Sequence, residues 1–84
     1  MEEEFQDAAT RVTQLKNKPS DDFLLQLYGL YKQATLGDNN TIKPGFFDPI
    51  ANQKWNIWKE YSGMTKEKAM LNYIRLVKKL ETKY

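Results

Sequence analysis

Four stretches of this chain place apolar side chains at intervals of three and four residues, and Gly- or Pro-containing breaks separate them. A chain patterned this way packs helices against one another, and no stretch shows the strict alternation of a half-buried strand. The first stretch, about Glu3 to Leu15, puts Phe5, Ala8, Ala9, Val12 and Leu15 on one face. Glu2, Glu3, Glu4 and Asp7 crowd its N-terminal turn, where the helix dipole favours negative charge. After Asn17-Lys18-Pro19, Ser20 is the expected N-cap of a second helix that runs to about Leu36, with Gly37 in the C-terminal capping role. The third spans about Ile50 to Tyr61, turns Trp55, Trp58 and Tyr61 one way, and stops at Ser62-Gly63. Thr65 caps the fourth, which reaches about Lys83 on a core stripe of Ala69, Tyr73, Leu76, Val77 and Leu80. The expectation is an all-α, four-helix bundle.

Eighty-four residues make one domain, 1–84, built on a single small core. The chain has no Cys, so neither a disulfide nor a thiolate metal site can support that core. Two Trp, five Tyr and four Phe supply much of the buried area instead. The acidic start Met1-Glu2-Glu3-Glu4 is unlike an export signal, and no apolar run approaches the ~18 residues of a membrane span. A soluble protein of a reducing compartment, the cytoplasm, is the expectation, with no stable membrane insertion.

Catalysis has little to work with. There is no His, no Gly-rich phosphate loop, and no nucleophile–base pair. The carboxylates sit mostly at helix starts, and Asp21/Asp22 are sequence neighbours rather than converging groups. The expectation is no enzyme, no catalytic residue, no metal and no cofactor.

Two features stand outside a plain bundle. The second helix carries two apolar stripes: Phe23, Leu27, Leu30 and Ala34, and beside it Leu24, Tyr28, Tyr31 and Thr35. One stripe is enough to face a core. Either the helix is central and meets two neighbours, or something else packs on the second stripe. The other feature is the long connection from Gly37 to Pro49, a length that is uncommon in compact domains and often functional. Phe46 and Phe47 are expected to pin it to the core.

Charge is unevenly spread. The net charge is only +2, too small to argue for nucleic acid, and none is expected as a partner. Residues 1–42 hold four basic and seven acidic side chains, whereas residues 43–84 hold nine and four. A basic half suits a small anionic ligand and, nearly as well, an anionic surface. Tyr28, Tyr31 and Lys32 share one side of the second helix, and Lys54 and Tyr73 complete a candidate cluster. A Lys ammonium suits a phosphate, a Tyr hydroxyl can donate to the same oxygens, and a Tyr ring can stack on a base. The plainer reading keeps the tyrosines as half-buried core and lets Lys32 snorkel.

The run Tyr28-Gly29-Leu30-Tyr31-Lys32-Gln33-Ala34-Thr35-Leu36-Gly37-Asp38 is similar to the signature of the acyl-CoA-binding protein family. Lys43-Pro44-Gly45 with Asp48, Lys54-Trp55 with Trp58, and Ala69-Met70 with Tyr73 resemble its later blocks. Phe5, Ala8, Ala9 and Leu15-Lys16 resemble its opening helix, so the likeness covers essentially the whole chain without gaps. The resemblance implies an up-down-down-up bundle with the long connection as a crossover after the second helix. It implies a carrier and pool-former for long-chain fatty acyl-CoA esters. Tyr28, Lys32 and Lys54 would hold the 3′-phosphate of CoA. Tyr31 and Tyr73 would line the adenine and head-group region, with Ala9 close by. Leu24 and Leu25 would border the acyl groove, Trp55 would sit beside the site, and Trp58 would be core. Nothing in the pattern asks for a dimer, so a monomer is expected.

Three positions depart from the family pattern. Thr13 and Ile50 stand where many members carry lysine, and Gln53 where alanine is common. The alternative reading is a small helical module that docks on anionic membranes or acidic partners through Lys66, Lys68, Lys78, Lys79 and Lys83. A lipid-binding domain cut from a larger enzyme is a third.

Overall fold

The computed structural model describes residues 1–84. It has four α-helices, α1 (Glu2–Arg11), α2 (Asp21–Leu36), α3 (Pro49–Glu60) and α4 (Lys66–Lys83), and a 3₁₀ turn at Val12–Gln14 after α1. The first helix stops four residues earlier than its periodicity suggests. The Thr10 hydroxyl donates to Gln6 O at 3.2 Å and the Thr13 hydroxyl to Thr10 O at 2.6 Å, and the last turn tightens before Leu15 goes extended.

Two of the four helix N-termini, those of α3 and α4, carry side-chain caps, whereas Met1 before α1 and Ser20 before α2 make none. Asp48 accepts from Ala51 N–H at 3.1 Å with Pro49 in the first turn of α3, and Thr65 accepts from Lys68 N–H at 3.1 Å. Ser20 occupies the N-cap position of α2, yet its hydroxyl makes no capping bond. Asp21 and Asp22 serve that end through the dipole. Gly37, at φ 84°, closes α2 with its N–H on Gln33 O.

Side-chain pairings give the helix directions. Phe5 meets Tyr73 at 5.1 Å between ring centroids, and the Arg11 Nε–H donates to Glu81 at 3.0 Å, so α1 and α4 run parallel. Lys54 lies 5.3 Å from the Tyr28 ring and Lys32 lies 5.5 Å from the Trp58 ring, so α2 and α3 are parallel too. Tyr31 meets Tyr73 whereas Phe23 meets Tyr84, which makes α2 antiparallel to α4. The topology is up-down-down-up. Parallel α2 and α3 require a return along the bundle, because the 16 residues of α2 are about 24 Å long. Residues 37–48 make that crossover.

The core gathers Phe5, Ala8, Leu27, Leu30, Ala34, Ala69, Tyr73, Ile74, Val77 and Leu80 from α1, α2 and α4. Ile74 joins the expected stripe, and Leu76 packs at its margin. Helix α3 packs on the other flank of α2, where Gly29 allows a close approach: a Cβ there would come within 2.8 Å of the Tyr61 ring. Trp58 is buried on this flank and donates its indole N–H to Gly37 O at 2.8 Å.

Phe46 and Phe47 do not pin the crossover. They are 81% and 87% exposed and lie against each other with their ring planes tilted by 32°. Polar anchors hold the segment instead. Asn39, fully buried, donates to Trp55 O at 3.1 Å and accepts from Thr41 N–H at 3.0 Å. The Trp55 indole N–H donates to the Thr41 hydroxyl at 3.0 Å. Buried Gln33 donates to Asp38 at 2.8 Å and to Met64 O at 2.9 Å, and Asp38 also accepts from Gly63 N–H at 2.9 Å. These bonds tie the end of α2 to the α3–α4 turn.

Candidate binding groove

Helix α1 packs on α4 and helix α3 on α2, and α1 and α3 do not touch each other. The gap leaves a groove whose floor is the second apolar stripe of α2. On the α1 side, Val12, Thr13, Pro19, Leu24, Leu27, Tyr28, Tyr31 and Tyr73 enclose about 380 Å³. On the α3 side, Asp21, Leu24, Leu25, Tyr28, Ile50, Gln53 and Lys54 enclose about 260 Å³. Towards the crossover, Tyr28, Thr41, Ile42, Pro44, Ala51, Lys54, Trp55 and Trp58 enclose about 310 Å³. Tyr28 borders all three hollows, so they meet at its ring.

The choice left open for the second stripe is therefore resolved for Leu24, Tyr28 and Tyr31. They face open space, while α3 packs on the neighbouring flank around Gly29. Lys32 and Lys54 converge on Tyr28, with ammonium groups 5.8 and 5.3 Å from the ring centroid. Neither forms a salt bridge; the ion pairs of the fold are Met1–Glu4, Arg11–Asp7 and Arg11–Glu81. Lys43 and Lys59 flank the Trp55 ring at 5.6 and 5.8 Å. Two ammonium groups held at one aromatic ring without an acidic partner make an electropositive rim on an apolar floor, suited to an anion with an apolar appendage.

Tyr73 forms the deep wall. It is 4% exposed, packs edge-on against Phe5 and meets Tyr31 at 5.9 Å. Burial first, and the neighbouring Tyr31 second, push its phenol up to about 12, so it stays neutral at any ordinary pH.

Of the residues singled out in the sequence, Leu24, Leu25, Tyr28, Tyr31, Lys54 and Tyr73 line the groove. Lys32 stands at its rim over the Tyr28 and Trp58 rings. Ala9 packs against the core and lines none of the hollows. Thr13, Ile50 and Gln53 all line it, so each departure from the family pattern falls on the groove wall. Sequence reasoning missed Val12 and Pro19 on one wall and Thr41, Ile42 and Pro44 beside the crossover. Only the unusual length of the connection signalled the latter. No three acidic side chains converge anywhere in the fold, and the chain has no His or Cys to ligate a metal.

A bundle of this topology with an aromatic, cationic groove defines a class of small helical ligand-binding proteins, and comparison with known proteins agrees. The family model described as Acyl CoA binding protein matches residues 2–77. "Acyl-CoA-binding protein homolog 1" of Caenorhabditis elegans is 50% identical over 80 residues, covering 95% of this chain and 93% of that protein. "Acyl-CoA-binding protein" of Saccharomyces cerevisiae is 48% identical over 80 residues, covering 95% and 92%. The crystal structure of Oryza sativa Acyl-CoA-Binding Protein 2 superposes with a TM-score of 0.93 at 43% identity, covering 98% of this chain and 91% of that one. The chain belongs to the acyl-CoA-binding protein family.

Proposed function

We propose that this chain binds long-chain fatty acyl-CoA esters and acts as their carrier and pool-former in the cytoplasm, as a monomeric domain that catalyses nothing. One observation carries the reading: two unpaired ammonium groups, of Lys32 and Lys54, meet at the Tyr28 ring, where three apolar hollows join. The CoA 3′-phosphate is held by Lys32, Lys54 and the Tyr28 hydroxyl, its charge opposite to that of the two ammonium groups. Tyr31 and Tyr73 line the adenine and head-group region, Tyr73 from the deep wall. Leu24 and Leu25 face the acyl chain.

The energetics divide accordingly. Each buried methylene is worth ~0.8 kcal/mol, so a sixteen-carbon chain adds on the order of 10 kcal/mol before ordering costs. The phosphate contacts add orientation and head-group selectivity. Calorimetry with palmitoyl-CoA, palmitate and CoA is the test. The thioester is expected to bind far more tightly than either fragment. Equal affinity for palmitate and palmitoyl-CoA would remove the role of the lysines, and the reading with it.

A further inference from the structure

The hollow on the α3 side is not apolar throughout. Along α2, Asp21, Leu25 and Tyr28 follow one another at helical spacing on the face towards it, with Leu24 beside them, over about 10 Å of helix. On α3, which runs parallel to α2, Ile50, Gln53 and Lys54 form the opposite wall at the same kind of spacing. One end is therefore aromatic and cationic, at Tyr28 and Lys54, and the other carries the Asp21 carboxylate. Leu24, Leu25 and Ile50 lie between, and the Gln53 amide interrupts that apolar stretch. No structural task explains the amide. The neighbouring Asn52 braces the start of α3, donating to Gly45 O at 2.8 Å and to Asp48 O at 2.9 Å. Gln53 bonds to no protein group, and Asp21 forms no ion pair.

We propose that Gln53, helped by Asp21, is a specificity residue of the groove, and that the ligands it admits include fatty acyl-CoA esters hydroxylated in the distal half of the chain. The inference rests on the acyl-CoA reading and adds to it the class of chain. A plain hydrocarbon laid in this hollow strips water from the Gln53 amide and the Asp21 carboxylate and returns no hydrogen bond to either. A hydroxyl returns one. It donates to the Asp21 carboxylate or the Gln53 carbonyl oxygen, or accepts from the Gln53 N–H. A wholly apolar pocket rejects an added hydroxyl by about a hundredfold, because the hydroxyl loses water and finds no partner. Here the two polar side chains offset much of that loss, and they tax the plain chain as well. Both effects narrow the gap between the two ligands. The groove then discriminates by the CoA head group and is permissive towards polarity in the tail.

Calorimetry of the full chain tests it, with palmitoyl-CoA and two analogues hydroxylated at mid-chain and at the terminal carbon. The readout is the ratio of dissociation constants, hydroxylated over plain. In the wild type the better analogue is expected to bind within about tenfold of palmitoyl-CoA. Gln53→Leu keeps the size of the side chain and removes its amide, so the plain chain gains, the hydroxylated chain loses, and the ratio widens by about tenfold more. Gln53→Glu keeps an acceptor on the wall and holds the ratio near that of the wild type. The proposal is overturned if wild type and Gln53→Leu give the same ratio, which includes the case where all three ligands weaken by one factor and Gln53 serves the head group. It is also overturned if Gln53→Glu widens the ratio as far as Gln53→Leu does, since shape and not hydrogen bonding would then decide. Failure of the wild type to bind palmitoyl-CoA at all would sink the acyl-CoA reading; binding with an unmoved ratio sinks this inference alone.

Discussion

Tyr28 borders every hollow of the groove and lies beneath both unpaired ammonium groups, so single substitutions around it separate charge from packing. Lys32→Ala removes a charged hydrogen bond to the proposed phosphate and is expected to weaken palmitoyl-CoA binding by about 1.5–3 kcal/mol. Tyr28→Phe keeps the ring and loses a neutral bond, about 1 kcal/mol. Calorimetry measures both, and an unaltered affinity in the pair excludes a phosphate seat at this ring. Tyr73 is informative through its pH dependence. Its folded value of about 12 lies above the ordinary 10.0. Folding therefore gains from the neutral phenol fully below pH 10, and that gain disappears as pH rises towards 12. Urea unfolding across this alkaline range should show a steep loss of stability that Tyr73→Phe reduces. Some slope remains in the variant, because burial and then the Glu60 charge also raise Tyr61.

The four helices are the part of this molecule that a reader of the sequence recovers, because each has a long apolar stripe and identifiable ends. The crossover is the part that resists. Its anchors, Asn39 and Gln33, are fully buried polar residues, a type that pattern reasoning assigns to the surface. Its phenylalanines point outward, and the rule that apolar residues go inside runs one way only. Half of the signature run is structural for the same reason: Gln33 and Asp38 bond to the α3–α4 turn, while Tyr28, Tyr31 and Lys32 face the groove or its rim. The groove residues were legible as an aromatic and cationic face, but their convergence with Lys54 depends on parallel packing of α3, which no local pattern encodes. Asp38 makes the structural role measurable. The Gly63 N–H first, the Gln33 amide second and the Lys59 charge hold its carboxylate below the ordinary 3.8. A depressed value means that its contribution to stability is present above 3.8 and is lost as pH falls through the folded value. Asp38→Asn is expected to lower stability at neutral pH and flatten the acid limb of the stability profile. Thermal unfolding as a function of pH reads this out, and an acid limb parallel to the wild type's contradicts it.

At the scale of the whole molecule, the groove is a consequence of topology. Pairing α1 with α4 and α3 with α2 leaves α1 and α3 apart, and the floor between them is a helix face with no helical partner. Such a site can change its ligand preference without refolding at Thr13, Ile50 and Gln53, wall residues that take no part in the core. The departures at Thr13 and Ile50 illustrate this: one lies on the α1 wall and the other on the α3 wall, and neither brings charge. Under the proposed function, head-group attraction would rest on the α2–α3 lysines, and long-range attraction would contribute less to binding. Thr13→Lys with Ile50→Lys adds a cation to each wall. At low ionic strength the double variant is expected to bind palmitoyl-CoA about 1 kcal/mol more tightly, the scale of exposed ion pairs. Salt should erase that gain as the screening length falls below ~10 Å, so the variant's affinity drops more steeply with added salt than the wild type's. Because the two positions sit on opposite walls, each single variant should show part of the effect. Parallel salt dependences for the wild type and the double variant would mean that the phosphates of the ligand lie away from both walls, and the head group would have to be placed elsewhere.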